Sequence, residues 1–184
     1  MTTSTYEYAA SGLRVKKVEG ATVTQQLLDG PSVTTEYDDL GTRKAFYLQN
    51  PQKIDEFFSA TVVENGQMKE VWPLVDGLGS VYGLADKSGA VVSTFNFEVY
   101  GGRTQVSGVS ELTFGFTGRE HDYSKTLYFR DRYTDPQIGI WLQLDRVSWG
   151  AESQYQYAKG NPSIQPFQGD APAAARSLAV ETCL

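Results

Sequence analysis

The sequence predicts an all-β chain of antiparallel hairpins, and three observations carry that prediction. Short runs of alternating polar and apolar residues are separated by turn signals about every 8–12 residues. Aromatic residues are abundant, with 11 Tyr, 9 Phe and 3 Trp in 184 residues, and rings at this density suit pleated, half-buried surfaces where they pack across neighbouring strands. A motif of an aromatic or aliphatic residue, a polar turn and a glycine also recurs. Tyr8 to Gly12 returns 29 positions later as Tyr37 to Gly41, and again as Val75-Asp76-Gly77-Leu78-Gly79. Self-similarity of this kind marks architectures that grow strand by strand.

The elements follow in order. Thr5–Tyr8 and Arg14–Val18 alternate around the Ser11-Gly12 turn, and Glu19-Gly20 leads into Thr22–Leu28. Asp29-Gly30-Pro31 turns the chain into Ser32–Tyr37, which Asp39-Leu40-Gly41 separates from Lys44–Leu48. Lys53–Ser59 can form a single helical turn, with Ile54, Phe57 and Phe58 on one side. Thr61–Glu64 and Met68–Val71 flank Asn65-Gly66, a dipeptide suited to the positive φ values of a two-residue hairpin loop. Val81–Leu84 and Val91–Phe97 flank Lys87-Ser88-Gly89, and Gly101-Gly102 closes that unit. Residues 1–164 are read as one β domain. Residues 165–184, rich in Ala, Pro and Gln and without alternation, are read as an irregular and flexible C-terminal tail.

Composition limits the functions open to such a chain. The formal charge is -6, from 22 acidic and 16 basic residues. This argues against a nucleic-acid footprint, which needs clustered Lys and Arg against phosphates. No apolar run approaches the roughly 18 residues of a membrane-crossing helix, so membrane insertion is not expected. The N-terminus lacks the basic start and apolar stretch of a signal peptide. Cys183 is the sole cysteine, so no intrachain disulfide is available.

From Phe114 onward the sequence supplies an ordered series of blocks. Phe116, Gly118, Asp122, Leu127-Tyr128, Arg130 or Arg132, Tyr133, Asp135-Pro136, Gly139, Trp141 and Asp145 appear in register. Upstream stand Asp76-Gly77-Leu78-Gly79-Ser80-Val81 and Asp86-Lys87-Ser88-Gly89-Ala90-Val91-Val92. Downstream stands Tyr155-Gln156-Tyr157-Ala158-Lys159-Gly160-Asn161-Pro162. Together these resemble the Rhs family, also called the tyrosine-aspartate repeat family, and in particular its repeat-associated core domain. That family is related to the C components of insecticidal toxin complexes and to teneurins. The similarity runs from about Tyr6 to Pro162.

The resemblance implies an antiparallel sheet that winds into a spiral, here a partial shell, of the kind that encloses a C-terminal toxin in larger bacterial members. Under it, Tyr8, Gly12, Tyr37, Asp38, Gly41, Asp76, Gly79, Gly118, Tyr128, Arg130, Tyr133, Asp135, Pro136, Gly139 and Trp141 are structural motif residues. It implies a secreted or cell-surface setting. It also implies partners, either neighbouring repeats or another Rhs-type chain meeting open sheet edges. An unpaired edge invites such association in any case.

In the family the core ends with two Asp-Pro-x-Gly motifs whose paired aspartates cut the backbone, chemistry that needs one carboxyl ionised and the other protonated. Asp145 falls at the first position but is followed by Arg146-Val147-Ser148, and Asp170 meets the second only with a slipped register. The motif is degraded, so the expectation is a chain without catalysis, and Asp145 with Asp170 is the alternative self-cleaving pair. Only about twenty residues follow the matched blocks, which is short for an effector domain.

The remaining candidates have plainer readings. His121 is the sole histidine and is read as a turn residue within Gly118–Ser124, because a metal site needs several converging ligands; no metal or cofactor is expected. Asp29, Asp38, Asp39, Asp76, Asp86, Asp131 and Asp135 lie near turns and suit turn capping. Trp72, Trp141 and Trp149 suit core packing, with a carbohydrate-stacking face as the other use of such rings. Arg119, Arg130 and Arg132 are expected to pair with Glu120, Asp131 and Asp135.

Overall fold

A computed structural model describes residues 3–64, 66–108, 110, 112–122, 125–144 and 154–162. Ten strands follow one another along the chain and in space. They are β1 (Ser4–Tyr8), β2 (Arg14–Glu19), β3 (Thr22–Asp29), β4 (Ser32–Tyr37), β5 (Arg43–Gln49), β6 (Phe57–Glu64), β7 (Gln67–Val75), β8 (Val81–Ala85), β9 (Val91–Phe97) and β10 (Arg103–Ser107). The strand order is sequential and every pairing is antiparallel. β1 and β10 do not pair with each other, so the sheet is open. Four shorter strands, β11 (Glu120–His121), β12 (Leu127–Tyr128), β13 (Tyr133–Asp135) and β14 (Ile140–Trp141), form a second antiparallel sheet. Among the described residues no helix is long and apolar enough to cross a membrane.

One turn geometry recurs across both sheets. The N–H of a first residue bonds to the carbonyl four positions on, and the N–H three positions on bonds back to the first carbonyl. This pair is found at 9–13, 38–42, 76–80, 86–90, 98–102, 115–119 and 122–126. The fourth position has positive φ in each case, supplied by glycine at Gly12, Gly41, Gly79, Gly89, Gly101 and Gly118. A turn that ends in a left-handed residue creates a glycine bulge, which increases twist and bends the strand. At Asp38, Asp76 and Asp86 one carboxylate oxygen, Oδ1, also accepts the N–H groups two and four positions on. The aspartate of the repeat therefore ties down the turn's own donors.

The inner face of the large sheet changes character along its length. Around β5–β9 it is apolar, with Ala45, Tyr47, Val62, Val71, Leu84 and Phe95 buried and roofed by Leu112 and Phe114. Near β2–β4 it is ionic, with Arg14, Lys17, Glu19, Gln26 and Glu36 buried. A second core of Phe116, Leu127, Phe129, Trp141 and Tyr157 sits within the small sheet and meets the first through Phe97.

Several expectations are corrected. Lys53–Ser59 forms no helical turn; residues 51–55 are turn and bend, and β6 begins at Phe57. Phe57 is needed in the apolar core, where it packs against Tyr47 and Phe114, and that requires an extended backbone. β7 continues past Val71 through Pro73 to Val75. Its pairing with β6 ends at Val71 and its pairing with β8 begins at Trp72, so proline's missing donor falls where the β6 ladder has stopped. His121 lies in β11 rather than in a turn. The tail from 165 onward lies outside the described residues.

Candidate functional site

The polar end of the inner face meets the small sheet in a buried ionic joint. On β2, Lys17 and Glu19 point inward while Val18 between them is half-buried on the other side, an inversion of the usual apolar-in pattern. Arg14, at the start of β2, lies beside the bulge where Tyr8 pairs with it. Its Nη2 donates to Glu120 at 2.7 Å and its Nη1 to Asp122 at 2.6 Å. Lys17 donates to Asp122 at 3.2 Å and lies 3.8 Å from Glu19. Gln26 on β3 donates to Glu120 at 2.7 Å and to Glu36 at 3.2 Å. Glu36 also accepts the Tyr47 hydroxyl at 3.1 Å and the Thr113 hydroxyl at 3.3 Å.

Electrostatics inside the joint are mutually dependent. Burial alone pulls the Arg14 and Lys17 pKa values down, but the facing carboxylates Glu120 and Asp122 outweigh it and hold both above their ordinary values. Burial pushes Glu120 up, and Arg14, Lys17 and Gln26 together bring it below the usual carboxylate range. Tyr47, buried beside Glu36, is held well above the usual phenol value. Charges so placed are stable only while every partner is present.

Aromatic residues enclose the arginine. Its guanidinium lies 4.1 Å from the Tyr128 ring centroid and 5.1 Å from that of Tyr6. Its backbone N–H donates to the Tyr128 hydroxyl at 2.9 Å. The Tyr8 and Tyr133 hydroxyls share a hydrogen bond of 2.8 Å, and the Tyr128 and Tyr133 rings are 5.0 Å apart. The tyrosines singled out at opposite ends of the sequence, Tyr8 with Tyr128 and Tyr133, therefore meet here. Tyr37 instead ends β4, and Asp38 opens the turn at 38–42.

A second clamp holds the far side. Asp55, in the β5–β6 connection, pairs with Arg119 at 2.8 Å and forks with the Arg130 guanidinium. Arg132 lies over the Trp141 ring, 3.8 Å from its centroid. The expected pairing of Arg119, Arg130 and Arg132 with their sequence neighbours is thus replaced for two of them by Asp55, while Glu120 goes to Arg14. Gly118 approaches Asp55 so closely that a Cβ there would lie 2.2 Å from its carbonyl oxygen. Gly139 abuts the Tyr100 ring, and Asp135 caps the Pro136 turn by accepting the Gln137 N–H at 2.8 Å. Trp141 is buried between Phe129 and Tyr157 rather than presented as a platform. Asp145, Trp149 and Asp170 lie outside the described residues.

Sequence reasoning missed Arg14, Lys17, Gln26 and Glu36, and took Asp122 only as one position of the family-like blocks and Glu120 only as a partner for the nearby arginines. The one available signal was an inverted strand: charges on the positions of β2 that alternation would assign to the core.

No family model matches the chain. It is similar to the tRNA3(Ser)-specific nuclease WapA of Bacillus spizizenii, 25% identical over 168 residues that cover 86% of this chain and 7% of that protein. The tRNA(Glu)-specific nuclease WapA of Bacillus subtilis subsp. natto is likewise 25% identical over 171 residues, with the same shares. The chain thus spans only a small fraction of these relatives. Among solved structures it is similar to a chain of the Photorhabdus luminescens Tc holotoxin pore, with a TM-score of 0.65 and 17% identity over 88% of this chain and 8% of that one. A chain of the TcdB2-TccC3-Cdc42 structure gives a TM-score of 0.66 and 18% identity over 86% and 8%.

Proposed function

We propose that this chain, whose fold is that of the Rhs or tyrosine-aspartate repeat shells, is a non-catalytic scaffold segment of a larger toxin-type or cell-surface shell. The observation that carries the reading is the ionic joint. Arg14, Lys17, Glu120 and Asp122 are committed to one another in the interior, an arrangement suited to holding two sheets together. Among the described residues β1 and β10 each have one strand partner and an open side, which fits neighbouring repeats or another Rhs-type chain adding a strand there. The nuclease names belong to proteins of which the matched region is 7%, and a shell segment accounts for the match without assigning nuclease chemistry to it.

Purified full chain incubated with tRNA, followed by intact-mass measurement of the protein and electrophoresis of the RNA, tests the reading. The expected result is a chain of unchanged mass and intact RNA. Loss of a C-terminal fragment that Asp145→Asn prevents would replace it with the self-cleaving alternative, and cut RNA would replace it with an enzyme.

A further inference from the structure

A cleft of about 280 Å³ lies between the β9–β10 turn and β11, lined by Glu98, Arg103, Thr104, His121, Lys125 and Gln137 among others. We propose that this cleft binds a small oxyanion, held by the Arg103 guanidinium and the His121 ring N–H.

Two donors converge there without anionic partners. Arg103 is partly buried, lies over the Phe95 ring at 5.3 Å and gives Nη1 to the Leu112 carbonyl at 2.9 Å. Among the described residues no carboxylate pairs with it. Burial therefore pulls its pKa down with nothing to oppose it. His121 accepts the Phe116 N–H on Nε2 at 3.0 Å, so the neutral ring carries its proton on Nδ1. No described residue accepts that proton. Burial first, then the positive charges of Arg103 and Lys17, hold the imidazole well below its ordinary value.

The carboxylates nearby do not fill the role. Asp122 also lines the cleft, but its two carboxylate oxygens are taken by Arg14 and Lys17. Glu98 is exposed and lies across the Gly102 Cα, where a Cβ would be 2.8 Å from its Oε2, without pairing to Arg103. Lys125 adds a third positive group from the turn after β11. The groups facing His121 are thus Arg103 on β10, Lys17 on β2, Lys125 and Asp122 beside β11, and Glu98 after β9. With Asp122 already balanced, the excess is positive. A partly buried guanidinium beside an imidazole N–H suits a carboxylate, phosphate or sulfate group, which accepts from both.

His121 is the sole histidine, so its imidazole resonances report on the site without assignment ambiguity. The experiment is NMR titration of the full chain with sodium sulfate, against sodium chloride at matched ionic strength. Sulfate is expected to shift His121 saturably and to raise its titration midpoint by on the order of one unit, because an anion at hydrogen-bond distance favours the imidazolium. Arg103→Gln should abolish the effect. Glu98→Gln, at an exposed position, should saturate at lower sulfate, and it keeps the test decisive if the Arg103 variant does not fold. Acetate run alongside separates carboxylates from tetrahedral oxyanions. A linear, non-saturating shift shared by chloride, or one unchanged in both variants, would overturn the site and leave only ionic-strength effects.

Discussion

Arg14 is the residue on which the two sheets depend. It is 1% exposed and holds two carboxylates, so Arg14→Met leaves Glu120 and Asp122 buried with only Lys17 and Gln26 to answer them. Removing one partner of a buried pair costs about 3–5 kcal/mol, and chemical denaturation should show a loss of that size. Lys16→Met is the control. Lys16 is adjacent in sequence to Lys17, but its pair with Glu7 is solvent-exposed, and such pairs contribute under about 1 kcal/mol. His121 sets the acid side. Its folded value lies below the ordinary 6.5, so its contribution is complete above that pH and is lost as pH falls toward the folded value, because the unfolded chain takes up the proton first. Glu120, also lowered from 4.5, adds a further loss at more acid pH. In chloride buffer, denaturation midpoints should therefore fall as pH drops below 6.5, and His121→Gln, which keeps an acceptor for Phe116, should flatten the upper part of that slope.

Turns were the most legible elements, because their chemistry is local. Glycine at Gly12, Gly41 and Gly79 follows from the positive φ that the bulged turn imposes, and the aspartates at Asp38 and Asp76 follow from the donors they satisfy. Gly41→Ala meets open space but keeps φ at +78°, so the expected cost is about 1–2 kcal/mol. Gly118→Ala should cost more, since its Cβ also strikes the Asp55 backbone. Lys125 occupies the glycine position of the 122–126 turn at a φ of 63°, and Lys125→Gly should stabilise the chain by up to about 1 kcal/mol. Thermal melts of the three variants check these signs. The strands β11–β14 left no such trace. Each is two or three residues long, too short for alternation to register. β10 was hidden for a different reason: its outward edge keeps four of its five residues exposed, so it lacks the apolar face by which a strand is recognised.

At the scale of the molecule, the joint is non-local. Arg14 and Glu120 are 106 positions apart, and nothing in either neighbourhood announces the other; the family-like blocks placed both segments in one domain without saying that they touch. The large sheet has its own apolar core over β5–β9 and the small sheet has another around Trp141. The ionic joint and the Asp55 clamp fasten one to the other. Loss of the joint should therefore release the small sheet before the large one unfolds, since regions with separate cores open as separate cooperative units. Hydrogen exchange resolved by peptide, comparing the native chain with Arg14→Met, measures this directly. The account predicts faster exchange at β12 and β13, with β5–β7 still protected. Unchanged protection at β12 and β13, or equal loss in both sheets, would contradict a joint that holds two units together.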